Sequence, residues 1–438
     1  MSVNKQKILI VGASGREHSI GWKIAQSPRV GSLFFAPGNG GTAQIGTNVP
    51  IEATDIKGLI NFVKTEQIEL TLVTSDDPLA LGIVDEFKTN GLRIWGPTKA
   101  AAELEWSKAF SKDFMRKNNL PTAKFEIFTD FESAKNYVEK QKLPIVIKAS
   151  GLALGKGVVI AKTKEEAIEA LENMMVKKIF GNSGVEVVME EFMVGPEISI
   201  HAFSDGSKNG QNYKMFPASQ DHKKIGEGDV GPNTGGMGTI APLPFVSSQM
   251  LAEIEKTIVA PTLATMNSAG IPFVGVLYPG LILTEHMHVP KILEFNARFG
   301  DPETQTYMRL LETDLLDIID ASIDGKLSDL EIKWRADTFA CTIVVASGGY
   351  PGNYEKGKVI SGLEAADKHG NVVIFHAGTI MKDGKLVTNG GRVLGVTATA
   401  HTLQRALEIA YEAIGRIRFE GMQYRKDIGK KALLLSNK

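Results

Sequence analysis

A chain of 438 residues is too long for one ordinary domain, and at about 150 residues per domain it is expected to hold about three. Hydrophobic residues at 43% and charged residues at 23% describe a globular protein and exclude disordered, collagen-like and fibrous classes. The 49 basic and 50 acidic residues leave a net charge of -1, and without any Lys/Arg-rich run this balance argues against a nucleic-acid partner.

Cys341, the single cysteine, lies in the apolar run FACTIVVA, where a small buried hydrophobe is expected, and a lone thiol fits a reducing, cytoplasmic setting. The apolar stretch Ile8 to Val11 is too short for a signal-peptide core or a membrane span, and no later segment reaches spanning length.

Residues 7–100 alternate apolar runs with helical patterns. KILIVG is followed by a helix from about His18 to Gln26, LFFAPG by a helix near Ile56 to Lys64, and LTLVTS by a helix near Leu79 to Thr89. That order predicts a parallel sheet covered on both faces, with ligands gathering at the carboxyl ends of the strands. Three loops stand there: GASGRE (12–17), APGNGGT (36–42) and TSDDPL (74–79).

From Ser107 to Leu120 a helix precedes the strands LPIVIKAS (143–150), GVVIAK (157–162) and VEVVMEEF (185–192). With a helix over Lys164 to Val176, these read as a small α+β lobe at about 123–190. The stretch GEGDVGPNTGGMG (226–238) holds six glycines in thirteen residues and is expected either as a mobile loop able to close over a charged substrate or as a plain surface loop. A long helix near Ser247 to Ala269, the strands FVGVLYPGLIL and PKILEFNARFG, and a helical segment at 314–325 lead to a polar boundary around Gly325 to Trp334. His286 and His288 are expected to flank a hairpin turn, and the eight histidines show no metal-ligand spacing.

The last hundred residues carry turn signals at Asp383-Gly384 and at NGG (389–391). A closing helix there aligns Leu403, Ala406, Leu407, Ala410, Ile414 and Ile417. The expected architecture is therefore α/β, with units at 1–104, 105–328 and 329–438, the last β-rich with a covering helix.

Three segments carry chemistry. In KASGLALGKGV (148–158) a strand ends at Lys148 and enters a loop with Gly151, Gly155, Lys156 and Gly157. Glycines let backbone N–H groups approach phosphate oxygens, and lysines neutralise them. A P-loop is excluded, because Gly157 and a β-branched strand stand where that motif needs Ser or Thr and a helix. A hairpin with solvated lysines is the plain alternative. Lys148 argues against it, since an ammonium closing an apolar strand calls for an anionic partner such as a phosphate.

In KILEFNARFGDPE (291–303), alternation puts Glu294, Asn296 and Arg298 on one face and Leu293, Phe295 and Ala297 on the other. A carboxylate and an amide oxygen so spaced suit a hard cation such as Mg²⁺ that bridges phosphates, and Arg298 can clamp a carboxylate. An ordinary strand with a wet polar face has the same pattern. In VVMEEFMVGPE (187–197), backbone groups at Glu191 to Met193 can read an adenine edge and Glu197 can accept from ribose hydroxyls, although acids beside a turn are commonly just solvated. SQDHKK sets Asp221 and His222 beside two lysines, which alone reads as a charged surface turn.

Together and in this order, VGASGREHSIGWKIAQSP, APGNGGTA, GPTKAAAELEWSKAFSKDFM, KASGLALGKGVVIA, QDHKKIGEGDVGPNTGGMG, LEFNARFGDPETQ, GGYPGNYEKGKVI, FHAGT, TNGGRVL and YRKDIG resemble the phosphoribosylamine–glycine ligases of the ATP-grasp superfamily. The match runs almost end to end. It implies a pre-ATP-grasp parallel-sheet domain binding phosphoribosylamine, an ATP-grasp domain and a C-terminal β-rich domain. The implied reaction joins glycine to 5-phosphoribosylamine through glycyl phosphate, giving glycinamide ribonucleotide, ADP and phosphate in the second step of de novo purine synthesis.

By the same resemblance, Lys108, Lys148, Ser150, Gly151, Gly155, Lys156 and Gly157 would hold the ATP phosphates, with Glu190, Glu191, Phe192 and Met193 at the adenine and Glu197 at the ribose. Glu294 and Asn296 would bind Mg²⁺ or Mn²⁺, and Arg298, Glu303 and Asp221 would handle glycine. Gly15, Arg16, Glu17, Pro37, Gly38 and Asn39 would hold phosphoribosylamine, helped by Asn233, Thr234, Gly235, Gly236 and Met237. The implied partners are these small molecules, without nucleic acid or membrane, and the chain is expected as a monomer.

The sequence departs from that pattern in three places. Ser150 stands where many members have Asp, as in the eukaryotic type; TSDDPL replaces GPExPL; Ala297 replaces a usual Cys. Three rivals differ in class. Another ATP-grasp ligase would need a different N-terminal loop set, and a dehydrogenase would need a third glycine where His18 stands. A catalytically silent nucleotide-binding module would not need Lys148, Glu294 and Asn296 intact.

Overall fold

The computed structural model describes residues 5–151, 157–207, 210–284, 289–369 and 371–436. Ile8, Leu9, Ile10 and Val11 are wholly buried, as an apolar strand covered on both faces requires. They belong to Gln6–Gly12, the central strand of a parallel sheet ordered Thr47–Asn48, Val30–Pro37, Gln6–Gly12, Leu70–Val73, Ile94–Trp95. The chain builds one side of Gln6–Gly12 and then the other, so a crevice opens at the carboxyl ends of Gln6–Gly12 and Leu70–Val73. The first helix begins at Gly15 rather than near His18, because Ser14 and Glu17 form a capping box there. The single helix expected over 79–89 is two, Asp76–Leu81 and Ile83–Thr89, divided at Gly82.

A four-stranded antiparallel sheet follows, ordered Phe125–Phe128, Val187–Glu191, Ile145–Ala149, Val158–Ala161. Helices Phe131–Val138 and Lys164–Leu171 cover it, and Ile145, Ile147, Leu171, Met174 and Met189 give it a core of its own. Lys148 lies opposite Val188, so Glu190 is its diagonal neighbour on the same face.

The next sheet pairs Val274–Thr284 with Glu197–Ser199, Ala202–Asp205 and Val289–Asn296. Gly280 faces Glu294 while Leu281 faces Ile292, so Leu293 is an extra residue in a bulge. The expected alternation therefore breaks at Leu293, which lines a small cavity beside Glu197. Residues 285–288, including both histidines of the expected turn, lie outside the described residues. The helix Glu303–Leu310 is an addition to the sequence reading. It buries Thr304, Gln305 and Thr306 along with its apolar residues, so its burial does not follow the polarity of its sequence.

The last sheet runs Gln220–Asp221, Gly238–Ala241, Phe339–Ala346, Arg392–Ala400, Val372–His376. Its first two strands come from the middle of the chain. Helix Leu403–Ile414 covers it, and the hairpin Thr379–Lys382 with Lys385–Thr388 turns at the expected Asp383-Gly384. The glycine-rich stretch is not an open loop. It contains the ribbon Lys224–Gly226 with Val230–Asn233, tied down by Arg425, which donates to Lys224 O (3.0 Å) and Asp229 Oδ1 (2.8 Å).

Candidate functional site

A cleft of about 570 Å³ occupies the crevice at the carboxyl edge of the parallel sheet. Gly12, Ser14, Arg16, Pro37 and Asp77 line it from the N-terminal side, and Tyr350, Gly378 and Arg392 close it from the C-terminal side. Gly38 holds φ +73° and its N–H donates to Gly12 O at 3.1 Å, which joins two of the three expected loops. Two of the expected residues also bond within the protein. Asn39 Nδ2 donates to Ala13 O and His376 O, both at 2.9 Å, while its Oδ1 accepts from Gly41 N and Thr42 N. Glu17 accepts from Ser14 N, Ser14 Oγ, Thr74 Oγ1 and Arg16 Nε. Glu17 lines the cleft, and Asn39 ties its lining residue Ala13 to His376. Gly15 starts the helix against Gln305, whose Nε2 would stand 2.5 Å from an added Cβ.

Beyond Arg16, whose Nη1 donates to Phe299 O, lies a cluster of charged side chains around the small cavity lined by Glu197, Asp221 and Lys223. Lys148 does have an anionic partner, but it is a carboxylate of the protein: Glu190 Oε1 at 2.8 Å, with Lys112 Nζ on Oε2 at 3.0 Å. All three side chains are nearly sealed from solvent. Glu190 thus serves the lysines with its side chain, whereas Glu191 N bonds Lys124 O in the sheet and Phe192 and Met193 lead outward at the edge. Burial lowers the Lys108 ammonium against the raising effect of Glu294. Ser150 ties this strand end to the helix Lys108–Lys117, accepting from Lys108 N and Ala109 N. Gly151 N donates to Ser183 O, and Gly157 O accepts from Ala149 N; Gly155 and Lys156 lie outside the described residues.

Across the cluster, Lys223 Nζ bridges Glu197 Oε2 (3.3 Å) and Glu294 Oε1 (3.4 Å). The Lys223 charge, helped by Lys148 and Lys108, holds the Glu294 carboxyl down at about 2. Asn296 Oδ1 accepts from Arg298 Nη2 at 3.0 Å. The same nitrogen meets Glu105 Oε1 at 2.8 Å, and Nη1 donates to Phe299 O. The fork of Arg298, expected to face a substrate carboxylate, is therefore engaged with Glu105 and Asn296, and among the described residues only Nε is left without a partner. Within TSDDPL, burial raises the Asp76 carboxyl, but the charges of Arg298 and Arg16 outweigh this and lower it.

Glu303 is buried at the first turn of its helix and accepts from Tyr278 OH (2.6 Å) and Ser199 Oγ (3.0 Å). Asp221 Oδ1 accepts no hydrogen bond among the described residues, and desolvation with the nearby Glu303 charge pushes its carboxyl well above the usual range. A buried acceptor of this kind suits a substrate ammonium. The strand Gly238–Ala241 is preceded by the turn Thr234–Gly236, in which Thr234 Oγ1 donates to Lys223 O and Gly236 N donates to Thr234 Oγ1. Asn233 is exposed at the end of its strand. The Met237 side chain is wholly buried against Val344 and Ala346, which leaves its backbone as the part available to a ligand.

The donor set fits a divalent cation delivered with phosphates. Glu294 is ionised, Asn296 Oδ1 carries a single hydrogen bond, and among the described residues no group of three or more His, Cys, Asp or Glu forms an all-protein cage. Sequence reasoning passed over Glu105, Lys112, Lys223, Tyr278, Tyr350 and Arg392. Five of these stand inside the motifs GPTKAAAELEWSKAFSKDFM, QDHKK, GGYPGN and TNGGRVL, and only Tyr350 and Arg392 carry the signal of an aromatic or charged residue beside glycines.

Three family profiles match in succession: the N domain (residues 6–105), the ATP-grasp (A) domain (106–304) and the C domain (340–431) of phosphoribosylglycinamide synthetase. A phosphoribosylamine–glycine ligase of Chlorobaculum tepidum is 46% identical over 431 residues, covering 98% of this chain and 100% of that protein. The trifunctional purine biosynthetic protein adenosine-3 of Gallus gallus is 46% identical over 430 residues, 98% of this chain and 42% of that protein. The crystal structure of a phosphoribosylamine–glycine ligase from Thermotoga maritima superposes with a TM-score of 0.82 at 36% identity, covering 96% of this chain and 99% of that one. A biotin carboxylase domain of Hydrogenobacter thermophilus shares the fold alone, with a TM-score of 0.73 at 15% identity over 99% of this chain and 93% of that one. With the cleft, the charged cluster and these full-length matches in register, the chain belongs to the phosphoribosylglycinamide synthetase family of ATP-grasp proteins.

Proposed function

We propose that the chain catalyses the ATP-dependent ligation of glycine to 5-phosphoribosylamine, giving glycinamide ribonucleotide, ADP and phosphate, the second step of purine synthesis, with units divided near residues 104 and 328. The observation that carries this reading is a cleft at the sheet edge, suited to the sugar amine, close to a cluster of charged side chains that includes Lys148, Glu294, Asp221 and Glu303 around a small cavity. A carboxylate is a poor electrophile, so it needs a leaving group before an amine can displace it. A glycine carboxylate oxygen attacks the γ-phosphorus of ATP and ADP departs. The amine nitrogen then attacks the carbonyl carbon of glycyl phosphate, phosphate leaves with the bridging oxygen, and the nitrogen loses a proton.

In this reading Lys148, Lys108 and the backbone at Ser150, Gly151 and Gly157 hold the phosphates, Glu191 to Met193 edge the adenine, and Glu197 accepts from the ribose. Glu294 and Asn296 would hold Mg²⁺ or Mn²⁺, which supplies charge neutralisation at the phosphate oxygens. Asp221 and Glu303 receive the ammonium of glycine, while Arg298 fixes Asn296 and offers its free Nε–H. Catalysis then rests on alignment and fixed charge, without a protein nucleophile.

ADP release measured with each substrate omitted in turn tests the reaction, and glycine labelled with heavy oxygen in its carboxylate tests the intermediate. One labelled atom should reach each phosphate released. Unlabelled phosphate, or labelled AMP, rules out the acyl phosphate route.

A further inference from the structure

Two quoted motifs, GGYPGNYEKG and TNGGRVL, have no part in the chemistry so far, and the structure brings one side chain of each to the same spot. Arg392 Nη1 donates to Gly235 O and to Asp301 O (2.7 Å), and its Nη2 stands 3.0 Å from Asp301 Oδ2. Tyr350 OH accepts from Gly235 N at 2.9 Å. Both side chains also line the cleft. On the far side of the same turn, a Cβ added at Gly236 would stand 2.6 Å from Asp221 Oδ1 and 2.5 Å from Pro302, the residue before Glu303. The turn 234–236 and the segment 300–302 therefore form a thin partition, with the cleft on one side and the Asp221 and Glu303 carboxylates on the other. The glycines allow this closeness: a Cβ at Gly235 would stand 3.0 Å from Arg392 Cζ, and Gly236 holds φ +109°.

We propose that Arg392, assisted by Tyr350, is a positioning residue that holds this partition and so aligns the amine in the cleft with the acyl group formed behind it. The inference rests on the ligase reading above. Glycyl phosphate has two fates. Attack by the amine gives the amide and phosphate. Attack by water forms a bond from the water oxygen to the carbonyl carbon and breaks the carbon–oxygen bond to phosphate, which returns glycine and phosphate and consumes one ATP without product. Alignment favours the first fate and a closed partition suppresses the second. A guanidinium suits the task because its planar fork reaches acceptors on two segments at once, which an ammonium does not reproduce.

The test counts ADP and amide together, with glycine and phosphoribosylamine present, for the wild type, Arg392→Lys and Tyr350→Phe. The wild type should release one ADP per amide. Arg392→Lys should raise that ratio to about two or more and raise the KM for the sugar amine, while glycine-dependent ADP release persists. Tyr350→Phe, which removes one hydroxyl, should raise the ratio by less. A merely structural role lowers ADP and amide together, and a ratio that stays at one in both variants overturns the proposal. If Arg392→Lys fails to fold, Tyr350→Phe decides by the same ratio. A wild type that releases no ADP with glycine and the amine would instead sink the ligase reading itself.

Discussion

Replacing Glu190 by glutamine keeps the outline of a sealed side chain and removes its charge from between two ammonium groups, Lys148 at 2.8 Å and Lys112 at 3.0 Å. At an effective dielectric constant of about 20, each attraction is roughly 5–6 kcal/mol, most of it offset by the desolvation of the three groups. The variant keeps two buried cations without their carboxylate, a change that costs about 3–5 kcal/mol. Burial already pulls the Lys112 ammonium down to about 8 against the opposing charge of Glu190. Because that lies below the unfolded value of 10.5, the unfolded chain binds more protons between the two, and stability rises with pH across that window. In Glu190→Gln the rise should begin at lower pH, since the main charge opposing the burial is gone and only that of Glu294 remains.

Hydrogen-exchange mass spectrometry on the strands Ile145–Ala149 and Val187–Glu191, at pH 7 and pH 9, reads the lobe directly. A chain of several units has no single unfolding free energy, so a global melt is the weaker measurement. Exchange should quicken at pH 7, and saturating ATP should recover part of the loss by supplying the missing anion. Wild-type protection in the variant at pH 7 would refute the view that this carboxylate holds the two lysines.

Glu294→Ala should raise the Mg²⁺ concentration for half-maximal activity by about tenfold or more and move the glycine requirement less; an unchanged metal titration removes the ligand assignment. Arg298→Lys keeps the charge but loses the bonds to Glu105 and Asn296, so both the metal and the glycine requirements should rise, and equal glycine affinity in the two proteins contradicts that role. Burial lowers His18 to about 3, and His222 and His376 to about 4, so these side chains are neutral in the fold. Below the unfolded value of 6.5 the unfolded chain takes up protons that the native one refuses, and stability should fall by about 1.4 kcal/mol per pH unit for each histidine down to those values. Denaturant midpoints between pH 7 and pH 4.5 check this, and a flat profile counts against buried neutral histidines.

The parallel sheet, the lobe and the strand of Glu294 were legible because apolar runs with the right period leave little choice of element. The loops at the carboxyl ends of the parallel strands were legible because glycine and proline punctuate them. The partner of Lys148 was not. An apolar strand ending in lysine states that an anion is needed, and Glu190, forty-two residues on, reads as part of an edge until the strands are paired diagonally. The glycine-rich segment was ambiguous in a different way, because glycine content does not separate a chain that moves from one that must pass close to other atoms, as Gly235 passes Arg392. Met237 shared its motif with polar neighbours, and only the pairing of Gly238–Ala241 with Phe339–Ala346 shows that it points inward.

That same pairing means that the order of units along the sequence is not the order in which the structure can be taken apart. The exposed connector at 331–338 looks like a seam, but the strand Phe339–Ala346 beyond it lies between Gly238–Ala241 and Arg392–Ala400. A front fragment ending at the seam would present Gly238–Ala241 as a bare edge, the template on which other chains pair and aggregate. The rear fragment would lack one wall of its own sheet, and the cleft would lose Tyr350, Gly378 and Arg392. A cut at 331–338 therefore breaks one sheet and one cleft wall at once, so the two sides of that connector depend on each other for an intact site.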